Sequence, residues 1–168
     1  LGDLVDRGPG SAAVIEIAMA LKASGKNVRF LMGNHEEIFV SVCRKGDPKV
    51  TRFFLRIGGE ETVMSYPITR AEYISLDMEQ LTTRLATLVP HAHIEFIEGF
   101  EDQIIIGDYA FVHAGIRPGV ALSEQKRSDL RWIREPFLDH PARHELMIVH
   151  GHTIAPEVEE RAGRIGPN

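Results

Sequence analysis

The sequence has one cysteine, no long apolar run and no cluster of Lys and Arg, and each of these scarcities excludes a class of structure or partner. Cys43 cannot form an internal disulfide, so the fold does not rely on cross-links and a reducing cytoplasm is the expected compartment. No stretch approaches the roughly 18 apolar residues that a membrane span requires, so we expect no membrane segment. The net charge of -5, with no cluster of Lys and Arg, argues against nucleic acid as the main partner.

The remaining composition is that of an ordinary globular protein. Apolar residues make up 43% and charged residues 26% of the 168 residues, both near the average for globular domains. A chain of this length fits one domain with its own hydrophobic core, so we predict a single domain over residues 1–168. The chain opens at Leu1 inside a strand-like run and ends at 166–168 where another strand could begin. We therefore expect a fragment of a longer protein.

Hydrophobic periodicity predicts helices that alternate with short buried strands, which is the pattern of an α/β fold. A serine-capped amphipathic helix is predicted at Ser11–Ser24, a buried parallel strand at Val28–Met32, and a hairpin around Gly107 within Gln103–Val112. A further strand is predicted at Leu146–Val149, and further helical segments at Glu36–Arg44, Thr51–Ile57, Glu60–Tyr66, Met78–Val89 and Asp129–Ile133. The helical segments around 46–98 resemble an insertion into the domain.

Four loops carry side chains that can bind a metal, and each loop follows an apolar, strand-like run. They hold Asp3 and Asp6, Asn34 and His35, His113, and His152. A divalent first-row cation that binds an oxyanion needs carboxylate, neutral oxygen and imidazole ligands together, because too many carboxylates cancel the charge that attracts phosphate. The side chains of Asp3, Asn34, His113 and His152 supply that mixture.

The same loops contain four short motifs in order: LGDLVDRG at 1–8, GNHE at 33–36, HAG at 113–115 and HGHT at 150–153. They resemble the successive motifs of the PPP phosphoprotein phosphatases, within the calcineurin-like phosphoesterase superfamily. IRPG at 116–119 and WIREPFL at 132–138 resemble the bacterial branch in particular. The resemblance implies an α/β fold with a β-sandwich flanked by helices, here lacking the N-terminal strand-helix unit and the last C-terminal strands.

The resemblance also implies a role for each motif residue. Asp3 resembles the carboxylate that bridges two metals, and Asn34, His113 and His152 resemble the other ligands of the second metal. Arginines that hold phosphate oxygens are matched by Arg7 and Arg134. His35 matches the general acid that protonates the leaving alkoxide. Asp6 matches the carboxylate that orients this imidazole and favours its protonated form.

The implied cofactors are two divalent metal ions, with manganese first and iron, zinc or nickel as alternatives, and the implied nucleophile is a metal-bridging hydroxide. In the family a GDxHG motif lies upstream of GDxVDRG and completes the first metal site. This sequence contains no such motif before Leu1. We therefore expect only the second metal site to be complete, and we expect little activity from the chain by itself.

The predicted function is hydrolysis of phosphoserine or phosphothreonine in a phosphoprotein or phosphopeptide, with phosphotyrosine as a further candidate. One alternative is a symmetrical diadenosine tetraphosphate hydrolase, which shares the scaffold and the RGPGS run at 7–11. That family typically has Ala where this chain has Asp6 and Asp where it has Glu36. The other alternative is a chain that binds a metal or a phosphorylated partner without turnover.

Each site residue also has a simpler structural explanation. Asp3 and Asp6 are common in turns beside Gly and Pro, and Asn34 with His35 could only begin a helix. Single histidines and arginines are more often packed or solvated side chains than functional ones. For His150 both explanations stay open. The combination of motifs, more than any one residue, favours the metal site.

Overall fold

The computed structural model describes residues 1–154, 158–161 and 163–166. These residues group into two compact units. The sheet unit comprises Leu1–Gly2, Phe30–Asn34 and Phe100–Asn168, and the helical unit comprises Asp3–Arg29 and His35–Gly99. The segment 46–98, predicted as a helical insertion, lies within the helical unit. The single-domain organisation stays a prediction.

The helical unit consists of short helices joined by tight turns. They are α1 Ser11–Ala23, α2 Asn34–Lys45, α3 Pro48–Phe54, a π-helix at Leu55–Gly59, α4 Glu60–Met64, α5 Arg70–Ser75, α6 Met78–Leu88 and α7 His91–Glu98. Local chemistry sets several starts: Asp47 accepts the N–H of Lys49 before α3, and Asp77 forms a reciprocal capping box with Gln80 before α6. Stacked Phe39 and Phe54, 5.6 Å apart, lie fully buried in this unit.

The predicted serine cap of α1 is wrong. The helix begins after Gly10, no side chain caps it, and Ser11 is its first residue. The Ser11 hydroxyl is instead hydrogen-bonded to Thr62 of α4. Helix α1 buries Ile15 and Ala18 on one side, while Ile17 is 61% exposed.

The sheet unit contains a five-stranded mixed sheet in the order β1-β2-β3-β5-β4. The strands are β1 Gln103–Ile106, β2 Tyr109–Val112, β3 Met147–Val149, β4 Glu159–Arg161 and β5 Arg164–Gly166, and helix α8 spans Arg127–Trp132. The predicted hairpin is confirmed, with Gly107 at a positive φ in its turn. Strand β3 is also confirmed and lies parallel to both β2 and β5.

The core of the sheet unit lies between the sheet and α8. Ala110 and Val112 of β2, Ile148 of β3 and Leu130 of α8 are buried in one cluster with Phe137. A mixed sheet packed against helix α8, together with the many helices of the helical unit, confirms the predicted α/β fold class. In the part of the chain that the structure describes, no helix is long and apolar enough to cross a bilayer.

The strand predicted at Val28–Met32 is reduced to one isolated parallel bridge between Leu31 and Glu101. Glu101 donates to Phe30 O at 2.9 Å and accepts from Met32 N at 2.8 Å. No longer ladder forms here because α2 begins at Asn34, two residues after Met32. The bridge still places Asn34 at the end of an extended segment, as the sequence predicts.

Candidate functional site

Three of the predicted ligands meet in the sheet unit, and we call them the ligand trio: Asn34, His113 and His152. Asn34 is the first residue of α2, His113 follows β2, and His152 lies in the loop after β3. Asn34 Oδ1 lies 2.9 Å from His113 Nε2 and 2.9 Å from His152 Nδ1, and the two imidazole nitrogens lie 3.3 Å apart. The trio therefore presents one amide oxygen and two imidazole nitrogens to a common point.

A backbone carbonyl fixes the tautomer of His113. Its Nδ1 lies 2.7 Å from the carbonyl oxygen of Leu1, which can only accept, so Nδ1 carries the hydrogen. In the neutral imidazole Nε2 is then the unprotonated nitrogen, and it lies 2.9 Å from Asn34 Oδ1, another acceptor, and 3.3 Å from His152 Nδ1. Asn34 Oδ1 and His113 Nε2 would both offer a lone pair to a cation held there, which would offset the repulsion between these two acceptors. Histidines that bind metals typically donate their other N–H to a carbonyl in this way, so the trio fits a divalent metal.

Close packing holds the trio in place. His113 and Asn34 are almost fully buried, while His152 is half-buried. A Cβ on Gly2 would lie 2.7 Å from His113 Nδ1 and 2.9 Å from Gly33 Cα, so this approach requires glycine at position 2. The ring of Trp132 lies edge-on to the ring of His152, with the centroids 6.5 Å apart.

In the helical unit, the loop Asp3–Arg7 has an unusual backbone. Asp3, Asp6 and Arg7 have φ values of 58°, 71° and 60°, in the left-handed region that L-residues rarely adopt. The surrounding helices satisfy the loop's N–H groups. Both Asp3 N and Leu4 N donate to the Glu36 carboxylate of α2.

The same support continues at the end of the loop. Asp6 N donates to Thr62 Oγ1 of α4 at 2.8 Å, and Arg7 N donates to the carbonyl of Gly58 in the π-helix at 3.0 Å. Disfavoured backbone angles persist only where surrounding contacts over-determine them. These contacts supply that constraint for Asp6 and Arg7.

Asp6 and His35 form a buried pair. His35 Nδ1 lies 2.6 Å from Asp6 Oδ2, and Thr62 Oγ1 donates to Asp6 Oδ1 at 2.7 Å. Burial lowers the pKa of His35, but the hydrogen bond to Asp6 and the negative charges of Asp3 and Asp6 outweigh it, so the net shift is upward. The pair therefore favours an imidazolium whose Nε2–H is free of the Asp6 contact.

Glu36, Thr62 and Gly58 support the predicted site residues, and the sequence did not single them out as site residues. Glu36 is fully buried, and burial raises its pKa even though the N–H groups of Asp3 and Leu4 act in the opposite direction. Glu36 could have been found because it closes the GNHE motif. Thr62 and Gly58 lie outside every motif, so no local pattern indicated them.

The remaining predicted residues are less closely engaged. Asp3 belongs to the helical unit with an exposed side chain, and its membership of one ligand set with the trio stays a prediction. The side chains of Arg7 and Arg134 are exposed, and phosphate binding by either stays a prediction. His150 is buried, with its ring edge-on to Phe137 at 4.9 Å between centroids, which favours the packed-core explanation for this histidine.

Comparison with known proteins agrees with this geometry. A family model for calcineurin-like phosphoesterases matches residues 1–164. The chain belongs to the calcineurin-like phosphoesterase family. That family hydrolyses phosphoesters and uses divalent metals, and the trio offers an amide oxygen and two imidazole nitrogens, which are ligand atoms that such metals bind. Its assignment to the PPP subfamily and its expected truncation stay predictions.

Two solved structures are similar to this calcineurin-like phosphoesterase. One is a crystal structure of a protein provisionally assigned as a diadenosine tetraphosphatase, with 18% identity, 98% coverage of this chain, 66% coverage of that chain and a TM-score of 0.65. The other is a metallophosphoesterase from Sphaerobacter thermophilus, with 16% identity, 90% and 47% coverage and a TM-score of 0.42. This chain spans about two thirds of the first and about half of the second. The first likeness shows the fold. No curated protein matches this chain.

Proposed function

We propose that this chain hydrolyses phosphomonoesters on protein side chains, with phosphoserine and phosphothreonine as substrates. The observation that carries the proposal is the Asp6–His35 pair, which holds an imidazole with a raised pKa. A serine or threonine alkoxide is a strong base and a poor leaving group, so its departure requires a proton donor. A nucleoside diphosphate leaves as a weak base and has far less need of one.

The ligand trio, with Asp3 as a proposed fourth ligand, would hold the divalent cation. When bound, such cations neutralise charge on the phosphate and activate water at neutral pH. Manganese is the metal we propose. The mixture of an amide oxygen and two imidazoles with one carboxylate leaves the site positive enough to attract a phosphate dianion.

The other side chains act on the substrate. Arg7 binds the phosphate oxygens through its planar guanidinium, and Arg134 is proposed as a second contact. His35 Nε2–H donates its proton to the leaving oxygen while Nδ1 stays bonded to Asp6. Asp6 stabilises the imidazolium before the transfer and keeps the ring oriented during it.

The test compares leaving groups on the purified chain in excess Mn²⁺. We expect slow but measurable hydrolysis of phosphoserine and phosphothreonine peptides, with diadenosine tetraphosphate cleaved more slowly still. Fast dinucleotide cleavage with little peptide dephosphorylation would overturn the proposal.

Diadenosine tetraphosphate hydrolysis is the second candidate. The structural likeness to a protein provisionally assigned that activity, at a TM-score of 0.65, favours it. An aspartate at position 6 and a glutamate at position 36 favour the phosphatase instead, because the resemblance associates the dinucleotide enzymes with Ala and Asp there. A chain that binds phosphopeptides in the presence of Mn²⁺ without releasing phosphate would indicate the binding-only alternative.

A further inference from the structure

Two buried hydroxyls contact Asp6, and one of them, that of Thr62, lies outside every recognised motif. Thr62 in α4 is fully buried and Ser11 at the start of α1 is nearly so. Thr62 Oγ1 lies 2.7 Å from Asp6 Oδ1 and 2.8 Å from Asp6 N, and Ser11 Oγ lies 2.9 Å from Thr62 Oγ1. Asp6 therefore has hydroxyl partners at both its backbone and its carboxylate.

The direction of each hydrogen bond follows from the chemistry. A carboxylate only accepts, so the single hydroxyl hydrogen of Thr62 goes to Asp6 Oδ1. The two lone pairs of Thr62 Oγ1 then accept the Asp6 N–H and the hydroxyl hydrogen of Ser11. The hydrogen and both lone pairs of the Thr62 hydroxyl are thus used. The hydrogen bonds run in one direction, since Ser11 donates to Thr62 and Thr62 donates to Asp6.

This arrangement decides which carboxylate oxygen meets His35. With Oδ1 held by Thr62, the other oxygen of Asp6, Oδ2, lies 2.6 Å from His35 Nδ1. Asp6 has a left-handed backbone with a φ of 71°, and Thr62 also binds its N–H. One side chain therefore fixes both the backbone and the carboxylate plane of Asp6.

We propose that Thr62 is a positioning residue for catalysis, which fixes Asp6 so that this carboxylate orients the proton-donating imidazole of His35. The inference rests on the proposed function, in which His35 protonates the leaving oxygen. Ser11 supports the same aspartate in two ways, because its hydroxyl donates to Thr62 and its oxygen accepts the Asp6 N–H at 3.2 Å. The helical segment around α4 thereby takes part in turnover without contacting the substrate.

The experiment compares Thr62→Val, which keeps the shape and removes the hydroxyl, with Thr62→Ser, which keeps the hydroxyl and removes the methyl group. For an alkyl phosphate such as a phosphoserine peptide, we expect Thr62→Val to lower kcat by about 10-fold to 100-fold with little change in KM. For 4-nitrophenyl phosphate, whose leaving group needs little protonation, the loss is smaller. Thr62→Ser restores kcat to within about threefold of the unchanged chain.

A second readout does not depend on activity. The proton between His35 Nδ1 and Asp6 gives a far-downfield NMR resonance when the pair is short and ordered, and we expect Thr62→Val to broaden or shift it while Thr62→Ser retains it. If the unchanged chain prefers dinucleotides, the proposed function fails, yet this resonance still tests the positioning. Ser11→Ala replaces Thr62→Val if the latter does not fold, with a smaller change in the same direction.

Three results would overturn the inference. One is a Thr62→Val chain that folds and keeps both the resonance and full kcat on alkyl phosphates. The second is an equal loss for alkyl and aryl substrates, which indicates a merely structural role. The third is a Thr62→Ser chain as impaired as Thr62→Val, because the hydroxyl is then not what matters.

Discussion

In the sheet unit the candidate ligands are one amide and two imidazoles, and each imidazole lies beside one close neighbour. In the helical unit the candidate site loop Asp3–Arg7, which we call the charged loop, is held by several helices. The Leu1 carbonyl orients His113, and Trp132 lies against His152. Glu36 and Thr62, from α2 and α4, bind the backbone N–H groups of the charged loop.

The difference separates two tasks. Neutral ligands hold a cation without cancelling its charge, while the charged loop has its shape from protein hydrogen bonds alone. Changes in the sheet unit should therefore weaken metal binding first. Changes in the helical unit at residues other than Asp3, the proposed fourth ligand, should lower turnover while the metal affinity is retained. Four predictions examine this division.

The largest effect is expected from His113→Ala. Removing a direct ligand should weaken Mn²⁺ binding by at least about 100-fold. Loss of a residue that only supports a ligand already weakens metal binding by up to about 100-fold. Trp132 is the single tryptophan, and its ring lies 6.5 Å from that of His152, so its fluorescence during a Mn²⁺ titration reports binding. His91→Ala, at an exposed site on α7, is the control. An unchanged Mn²⁺ affinity of the His113→Ala chain would contradict the assignment of the trio as a metal site.

The next largest effect is expected from Asp6→Asn, which keeps the side-chain shape and a residue that tolerates positive φ. His35 loses the negative charge that raises its pKa, so kcat on phosphoserine peptides should fall about 100-fold while Mn²⁺ affinity stays the same. Rates on alkyl and aryl phosphates check the expected loss of kcat, and the Trp132 fluorescence titration checks the Mn²⁺ affinity. A large loss of Mn²⁺ affinity in Asp6→Asn would contradict the assignment of metal binding to the sheet unit.

A smaller effect is expected from Gly58→Ala. Its φ is 114°, and a Cβ would lie 2.7 Å from Arg7 Cγ, so the free energy of unfolding should fall by about 1–3 kcal/mol and KM for phosphopeptides should rise. Gly25→Ala is the matched control, since Gly25 has a φ of 75° but nothing within 4 Å of its Cβ position. Denaturant titrations and KM values of the two variants distinguish strain alone from displacement of Arg7. Equal KM values would argue against a role for Gly58 at Arg7.

The smallest effect is expected at Cys43 in α2. Burial raises its pKa to about 12, so at pH 8 the native thiol is protonated and unreactive. Iodoacetamide should leave activity within about twofold of the untreated chain, and a thiol-specific dye should react only after denaturation. Cys43→Ser should behave like the unchanged chain. Inactivation by alkylation of the native protein would point to a thiol nucleophile and contradict the metal-assisted reaction.

The sequence indicates why Asn34, His113 and His152 come together, while their role as metal ligands stays a prediction. Asn34, His113 and His152 each follow an extended run, and the ends of neighbouring strands meet at one edge of a sheet, so local motifs are enough to bring them together. The hairpin around Gly107 is predicted for a similar reason, since its turn residues are adjacent in the chain. The Asp6–His35 contact follows from the motif resemblance.

The support of the charged loop could not be predicted from local patterns. Thr62 is 56 positions from Asp6, and Glu36 is 33 positions from Asp3. Such pairings depend on how the helices pack, which periodicity does not encode. The same packing explains why Ser11 does not cap α1, because its hydroxyl is bonded to Thr62.

Asp3, Asp6, Arg7 and His152 share the left-handed backbone region. A branched Cβ collides with the main chain in that region whatever its polarity, while Asn and Gly enter it with less strain. In a saturation library selected only for folding, Val, Ile and Thr should therefore be depleted at all four positions before any selection for catalysis. The geometry of the polypeptide thus narrows the choice of residues there independently of their chemistry.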